Sequence, residues 1–133
     1  YAFAQCGSLA SITMPDGVTS IGQSAFYQCY SLASITIPDG VTSIEQSAFA
    51  YCYSLASITM PNSVISIGRQ LFSSCSCVAF YDFTAYTTVP TLAHTNAFNG
   101  ISADCKIRVP AALVDKWKAA TNWSTYADHI VGV

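Results

Sequence analysis

Phenylalanine stands at positions 3, 26, 49 and 72, and cysteine at 6, 29, 52 and 75, so a 23-residue spacing governs more than half of the 133-residue chain. The text between these markers barely changes: "CGSLASITMPDGVTSI" from Cys6, "CYSLASITIPDGVTSI" from Cys29, "CYSLASITMPNSVISI" from Cys52. A fixed period of this size is a severe constraint. One unit is too small to bury its own apolar face, so successive units must stack and share a core.

Aligned on the period, the sequence sorts into columns. Leu9, Leu32, Leu55 and Val78 form one, and Ile12, Ile35, Ile58 and Tyr81 the next. Met14, Ile37, Met60 and Phe83 follow, then Val18, Val41 and Val64, then Ile21, Ile44 and Ile67. All are apolar, as a stacked core requires. In "LASITM" Ile12 and Met14 alternate with Ser11 and Thr13, which places one short strand per unit there. Pro15, Pro38 and Pro61 end the strand because proline has no N–H for a ladder. The "PDG" at 15–17 and 38–40 is turn chemistry.

The fourth unit, "CSCVAFYDF", keeps cysteine and strand but has Thr84 where proline is due. Phe98 follows Phe72 by 26 residues, so three residues are inserted around "YTTVPTLAHT"; "IRVP" at 107–110 then restores the "ITMP" pattern. After Pro110, "AALVDKWKAATNW" spaces Leu113, Trp117 and Ala120 as one face of a short helix. The spacing predicts a leucine-rich-repeat coil, an α/β-type repeat solenoid of about five 23-residue units over residues 1–110. A helical cap over 111–133 closes it, with Trp117 and Trp123 as a lid.

The unit "LxxIxIPxxVxxIGxxAFxxC" resembles the BspA-like leucine-rich repeat of bacterial and some protozoan surface proteins; Phe26, Cys29, Leu32, Ile35, Ile37, Pro38, Val41 and Ile44 fall on that pattern. The tail "KIRVPAALVDKWKAATNWSTYADHI" is similar to the closing segment of such proteins from gut bacteria. The resemblance implies a curved solenoid, export, a place at the cell surface, and adhesion or binding of a host protein or glycan. It brings no catalytic motif. Opening on "YAFAQC", already inside a unit and without an initiating Met, the chain reads as a piece of a longer or processed protein, with an open first edge prone to edge-to-edge self-association.

Composition narrows the functional classes. Only 9% of residues are charged, against about 25% in an average soluble domain, and the net charge is −2 with five basic residues. That balance argues against nucleic acid, which needs a basic patch. No apolar run approaches the roughly 18 residues of a membrane span. With His94 and His129 the only histidines and no GxSxG elbow, enzymatic chemistry is not expected. A zinc site from Cys75, Cys77, Cys105 and His94 lacks CxxC spacing, and one Asp or Asn per unit at 16, 39 and 62 is too sparse for calcium. No metal or cofactor is expected. The four cysteines on the period read as a buried ladder. Cys77 and Cys105 lie off it, and a disulfide between them suits an exported protein but leaves them about two residues out of line.

The informative positions are those the strands expose. One column reads Ser11, Ser34, Ser57, Phe80, Lys106, and the other Thr13, Thr36, Thr59, Asp82, Arg108. With the Ile and Met columns inward, these face the concave side where such solenoids bind partners. The candidate contact residues are therefore Thr13, Thr36, Thr59, Phe80, Asp82, Lys106 and Arg108. The change from small hydroxyls to aromatic and charged residues marks either a binding patch or an exposed Asp82–Arg108 ion pair. Tyr27, Tyr30, Tyr51 and Tyr53 flank the cysteine ladder and are either contact surface or packing on the convex coil. The expected function is a non-catalytic extracellular or surface interaction module; the alternative is a structural spacer holding another domain off the cell wall.

Overall fold

In the computed structural model, which describes residues 1–133, each regular unit lays down two short strands rather than one. The first set is β1 (Ser11–Ile12), β3 (Ser34–Ile35), β5 (Ser57–Thr59), β7 (Phe80–Asp82) and β9 (Lys106–Val109). The second is β2 (Ser20–Ile21), β4 (Ser43–Ile44), β6 (Ser66–Ile67) and β8 (Thr91–Leu92). The second strand grows from "VTSI", where Val and Ile point inward around an exposed Thr and Ser. All pairing is parallel: β1 with β3, β5 with β7, β7 with β9, β2 with β4, and β6 with β8. The amide of Ala56 donates to Ala33 O at 3.2 Å and carries the first ladder across from β3 to β5.

The register locates the insertion. Ser57 faces Phe80 at the normal spacing, but Ser66 faces Thr91 and Phe80 faces Lys106. Two of the three extra residues therefore fall between β7 and β8, and the third between β8 and Phe98.

A third side of the coil has no strands yet is hydrogen-bonded between units. Phe26 N–H donates to Ala48 O, Phe49 to Leu71 O and Phe72 to Ala97 O, at 2.8–3.1 Å. Gln28, Tyr51 and Ser74 donate likewise to the next unit. The amides can all point along the coil because two columns adopt left-handed backbone, Ser24, Ser47 and Gln70 in one, and Gln5, Gln28, Tyr51 and Ser74 in the other. Such a conformation is costly for residues other than glycine, and here each is held by an inter-unit bond. The second column ends in Gly100 at φ +80, where a Cβ would sit 3.3 Å from Ser74 Cα.

Inside, one continuous core of 34 residues runs the length of the coil. Its axis is a phenylalanine stack, Phe3–Phe26–Phe49–Phe72–Phe98, with ring centroids 5.3–5.7 Å apart and planes within 18°. The cysteine ladder is buried at Cys29, Cys52 and Cys75. Each Sγ donates to the carbonyl of the preceding unit's phenylalanine, at 3.1, 3.3 and 3.0 Å. Burial, with the Cys52 thiol beside it, pushes the Cys29 thiol up to about 11. The hydrogen bond with Cys75, joined by burial, raises Cys52 further. These thiols stay protonated. Cys6, in the first unit, is exposed.

The closing segment departs from a single helix. Pro110 precedes a 3-10 turn at Ala111–Leu113, α1 covers only Val114–Ala119, and a 3-10 segment runs over Trp123–His129. The lid expected from the tryptophans is there. Trp117 and Trp123 are fully buried, against Phe83 and each other at 5.5–5.6 Å. Trp123 Nε1 donates to Pro90 O at 2.8 Å and Asn122 Nδ2 to Leu92 O at 2.7 Å, tying the cap to the inserted loop. The chain then returns to the first sheet as β10 (Ile130–Gly132), parallel to β9 with Ile130 facing Ile107. Gly132 is required there: a Cβ would lie 2.7 Å from Val114 Cγ2 and 3.0 Å from Ala111 Cα. At the other end the first unit is open, with Phe3 38% exposed and Ile12, Met14 and Val18 only half-buried.

Candidate functional site

The two exposed columns of the first sheet lie where the alternation puts them. Thr13, Thr36, Thr59 and Lys106 are exposed, and Phe80, Asp82 and Arg108 half-buried. Around β5, Ser34, Thr36, Ser57 and Thr59 line a shallow cavity of about 340 Å³ together with Asp39 and Ala85. Its floor is Ile35, Ile37, Ile58, Met60 and Pro61, all buried, and the hydroxyls stand at its surface because these rungs repeat Ser-Ile-Thr.

One unit on, the surface changes. In the β7–β9 register Phe80 faces Lys106 and Asp82 faces Arg108. Asp82 and Arg108 are thus cross-strand neighbours, but they form no ion pair. Asp82 turns back on its own chain, where Oδ1 accepts from Thr84 N–H at 2.9 Å and from Thr84 Oγ1 at 2.6 Å. This short-range turn bond competes well against an exposed ion pair worth about 0–1 kcal/mol. Arg108 instead crosses diagonally and lies over the Phe80 ring, its Cζ 3.7 Å from the centroid. That is close cation–π contact, and the guanidinium has no hydrogen-bond acceptor or acidic partner within the chain.

Of the seven candidate residues, the structure brings Phe80, Asp82, Lys106 and Arg108 into one patch, leaves Thr36 and Thr59 on the adjoining cavity, and sets Thr13 apart near the open end. Sequence reasoning missed His129. The β9–β10 register continues the two columns one rung further, placing His129 beyond Lys106 and Val131 beside Arg108. His129 Nδ1 lies 2.9 Å from Cys105 O. The signal was present: Ile130 follows Ile107 by the same 23 residues.

The remaining candidates scatter. All six cysteines are free, Cys77 exposed and Cys105 buried, and burial pushes the Cys105 thiol up to about 11. His94 is exposed and its Nδ1 accepts from Asn96 N–H at 3.1 Å. Asn62 donates its amide to Ala85 O at 3.2 Å. Tyr30 and Tyr53 stack at 5.2 Å with nearly parallel, part-exposed rings, while Tyr27 and Tyr51 meet edge to face at 5.4 Å. Ile65, where other units carry Thr19 and Thr42, is 71% exposed beside the inserted loop. No helix is long and apolar enough to cross a membrane.

Short parallel strands repeated every 23 residues around a leucine, isoleucine and phenylalanine core make a leucine-rich-repeat solenoid. The model of the BspA-type leucine-rich-repeat region matches residues 1–113 in six copies, and the chain belongs to that family. None of the curated proteins matches it. Among solved structures it is similar to the leucine-rich-repeat protein of T. pallidum, at 35% identity and TM-score 0.68 over 84% of this chain and 50% of that one. A leucine-rich-repeat protein from Bacteroides ovatus shares the fold at 24% identity and TM-score 0.73, over 98% of this chain and 32% of its own. One from Eubacterium ventriosum matches at 28% identity and TM-score 0.59, over 76% and 26%. The chain thus spans half the length of these relatives or less. What the matches establish is a repeat module of a generally non-enzymatic class.

Proposed function

We propose that the chain is a non-catalytic interaction module displayed outside the cell, and that it binds an extracellular protein or glycan through the face of β5, β7, β9 and β10. The observation that carries this reading is the break in the repeated columns. Three rungs present the same small hydroxyls, and the next two replace them with Phe80, Lys106 and an Arg108 that is stacked in place with no acidic partner. A coil needs none of these side chains to stack, since its core columns continue beneath them, buried and apolar, through Tyr81 and Ile107. Stacking on Phe80 also limits the rotamer freedom Arg108 would lose on binding, which favours affinity.

An array of extracellular-matrix proteins and glycans, probed with the wild type, Asp82→Ala and Arg108→Ala, tests the reading. At least one bound component should be weakened by Arg108→Ala. An array with no such component would overturn it.

A further inference from the structure

We infer that the ligand of this face is an acidic saccharide, a glycan whose carboxylate or sulfate is held by Arg108 and Lys106 while its neutral sugars lie along the hydroxyl columns. This rests on the preceding proposal and names the chemistry of the same site.

Three features lead to an anion. Arg108 is held over Phe80, and its N–H donors have neither a hydrogen-bond acceptor nor an acidic partner within the chain. A guanidinium so held matches the two oxygens of a carboxylate or sulfate, and its weak hydration makes it the cheaper cation to desolvate. Lys106 lies two residues earlier on the same strand, so it projects from the same face and adds a second, more mobile charge. The one acidic residue in the patch, Asp82, is turned away into its two bonds with Thr84. The acidic residues next in sequence, Asp104 and Asp128, lie in the segments leading into β9 and β10 and pair with neither cation.

Two further features favour a saccharide over an acidic peptide. An extended peptide gains most of its affinity by adding to an unpaired sheet edge. Here Arg108 and Lys106 stand on the face of an interior strand, β9, with β7 on one side and β10 on the other, so a ligand that reaches them lies across the sheet face and not along an edge. Peptide anchors also need apolar pockets. The cavity next to the patch has a floor of Ile35, Ile37, Ile58, Met60 and Pro61, all buried, so the side chains it offers a ligand are Asp39, Ala85 and the hydroxyls of Ser34, Thr36, Ser57 and Thr59, which exchange hydrogen bonds with sugar hydroxyls. Successive rungs of the sheet face, as paired parallel strands, lie about 4.8 Å apart. Thr59 and Arg108 are two rungs apart, so an acid-bearing sugar on Arg108 leaves its neighbours over β5.

The test is an NMR titration of the full chain with 3′-sialyllactose, a sulfated lactose, unmodified lactose and a tetraglutamate peptide. The inference expects the two acidic sugars to shift amides of β7 and β9, and lactose to bind at least tenfold more weakly. Arg108→Ala should weaken the acidic sugars by about tenfold or more, with Arg108→Lys in between because it keeps charge and loses the fork. Asp82→Asn, which retains the Thr84 acceptor while removing the charge, should hold or tighten binding. Thr59→Val should cost a few-fold for the sugars and nothing for the peptide. Lactose binding as well as the acidic sugars overturns the inference, as does the peptide alone showing Arg108-dependent binding; in both cases the interaction module itself survives. If the array above is also empty, the functional reading falls with it.

Discussion

Units one to three and units four to six use the same coil to opposite ends. In the first half every exposed strand position is Ser or Thr, and each buried column repeats one residue size. In the second half the buried columns enlarge, Ile58 giving way to Tyr81 and Met60 to Phe83, while the exposed columns acquire Phe80, Asp82, Lys106 and Arg108. The larger core residues meet Trp117, Trp123 and Tyr126 of the cap. One half is therefore stabilised by repetition, the other by aromatic residues that occur once. The lesson is that regularity makes a unit replaceable, whereas departure from it ties a unit to its place.

The largest effect should come from breaking the irregular half. Trp123→Ala removes a fully buried ring and its bond to Pro90, and should cost about 3–5 kcal/mol in a urea denaturation. By contrast, deleting residues 30–52, one whole period, rejoins the chain as "QCYSLASITM" and should leave a folded coil. Its circular dichroism should show a cooperative transition with a smaller m-value. Loss of the transition would show that the regular units are not interchangeable.

A smaller effect separates the ladder thiols. Cys52→Ala removes a buried Sγ and its bond to Phe26 O, which still accepts from Cys29 N–H, and should cost about 1–3 kcal/mol, chiefly through the cavity left in the ladder. Alkaline pH probes one thiol of the ladder and one off it. Cys29 and Cys105 are raised from 9.0 to about 11 in the fold, so the unfolded chain releases their protons first. The stability they contribute is complete below pH 9 and lost as pH rises to 11, and Tm should fall across that window. Alkylation at neutral pH should label Cys6 and Cys77 and spare the other four; rapid labelling of Cys75 would contradict the packing.

The two ends differ as well. The open first unit is expected to associate at high concentration, through Met14 and its exposed neighbours. Light scattering should show a mass that rises with concentration in the wild type and less in Met14→Lys; a monomer throughout would remove the expectation. The smallest effect is reserved for Ile65→Thr, which restores the wording of the other units and should change stability by no more than about 0.5 kcal/mol.

The repeat made the coil and its inward columns legible without coordinates, because stacking forces one residue size at each level. It also placed Phe80, Asp82, Lys106 and Arg108 on one face. It did not settle how they would interact. The competition between an ion pair and an Asx-type bond to Thr84 depends on a turn that the fourth unit alone possesses. The second strand of each unit was overlooked because two residues are too few to show alternation. The helix was overextended because Asn122 takes a left-handed conformation, with φ 66, directly after the helical face ends. The final strand followed the period all along, but sequence differences at Lys106 and His129 hid it.

The phenylalanine stack makes the molecule a ruler. Each duplicated period adds one ring, 5.3–5.7 Å from the last, and the nearly identical wording of the first three units lets such steps be gained or lost by recombination. The cationic patch sits on the capped side of all of them. Copy number therefore sets the reach of the coil while Phe80, Lys106 and Arg108 are inherited unaltered, so the length of the coil and the chemistry of its capped end are free to evolve apart.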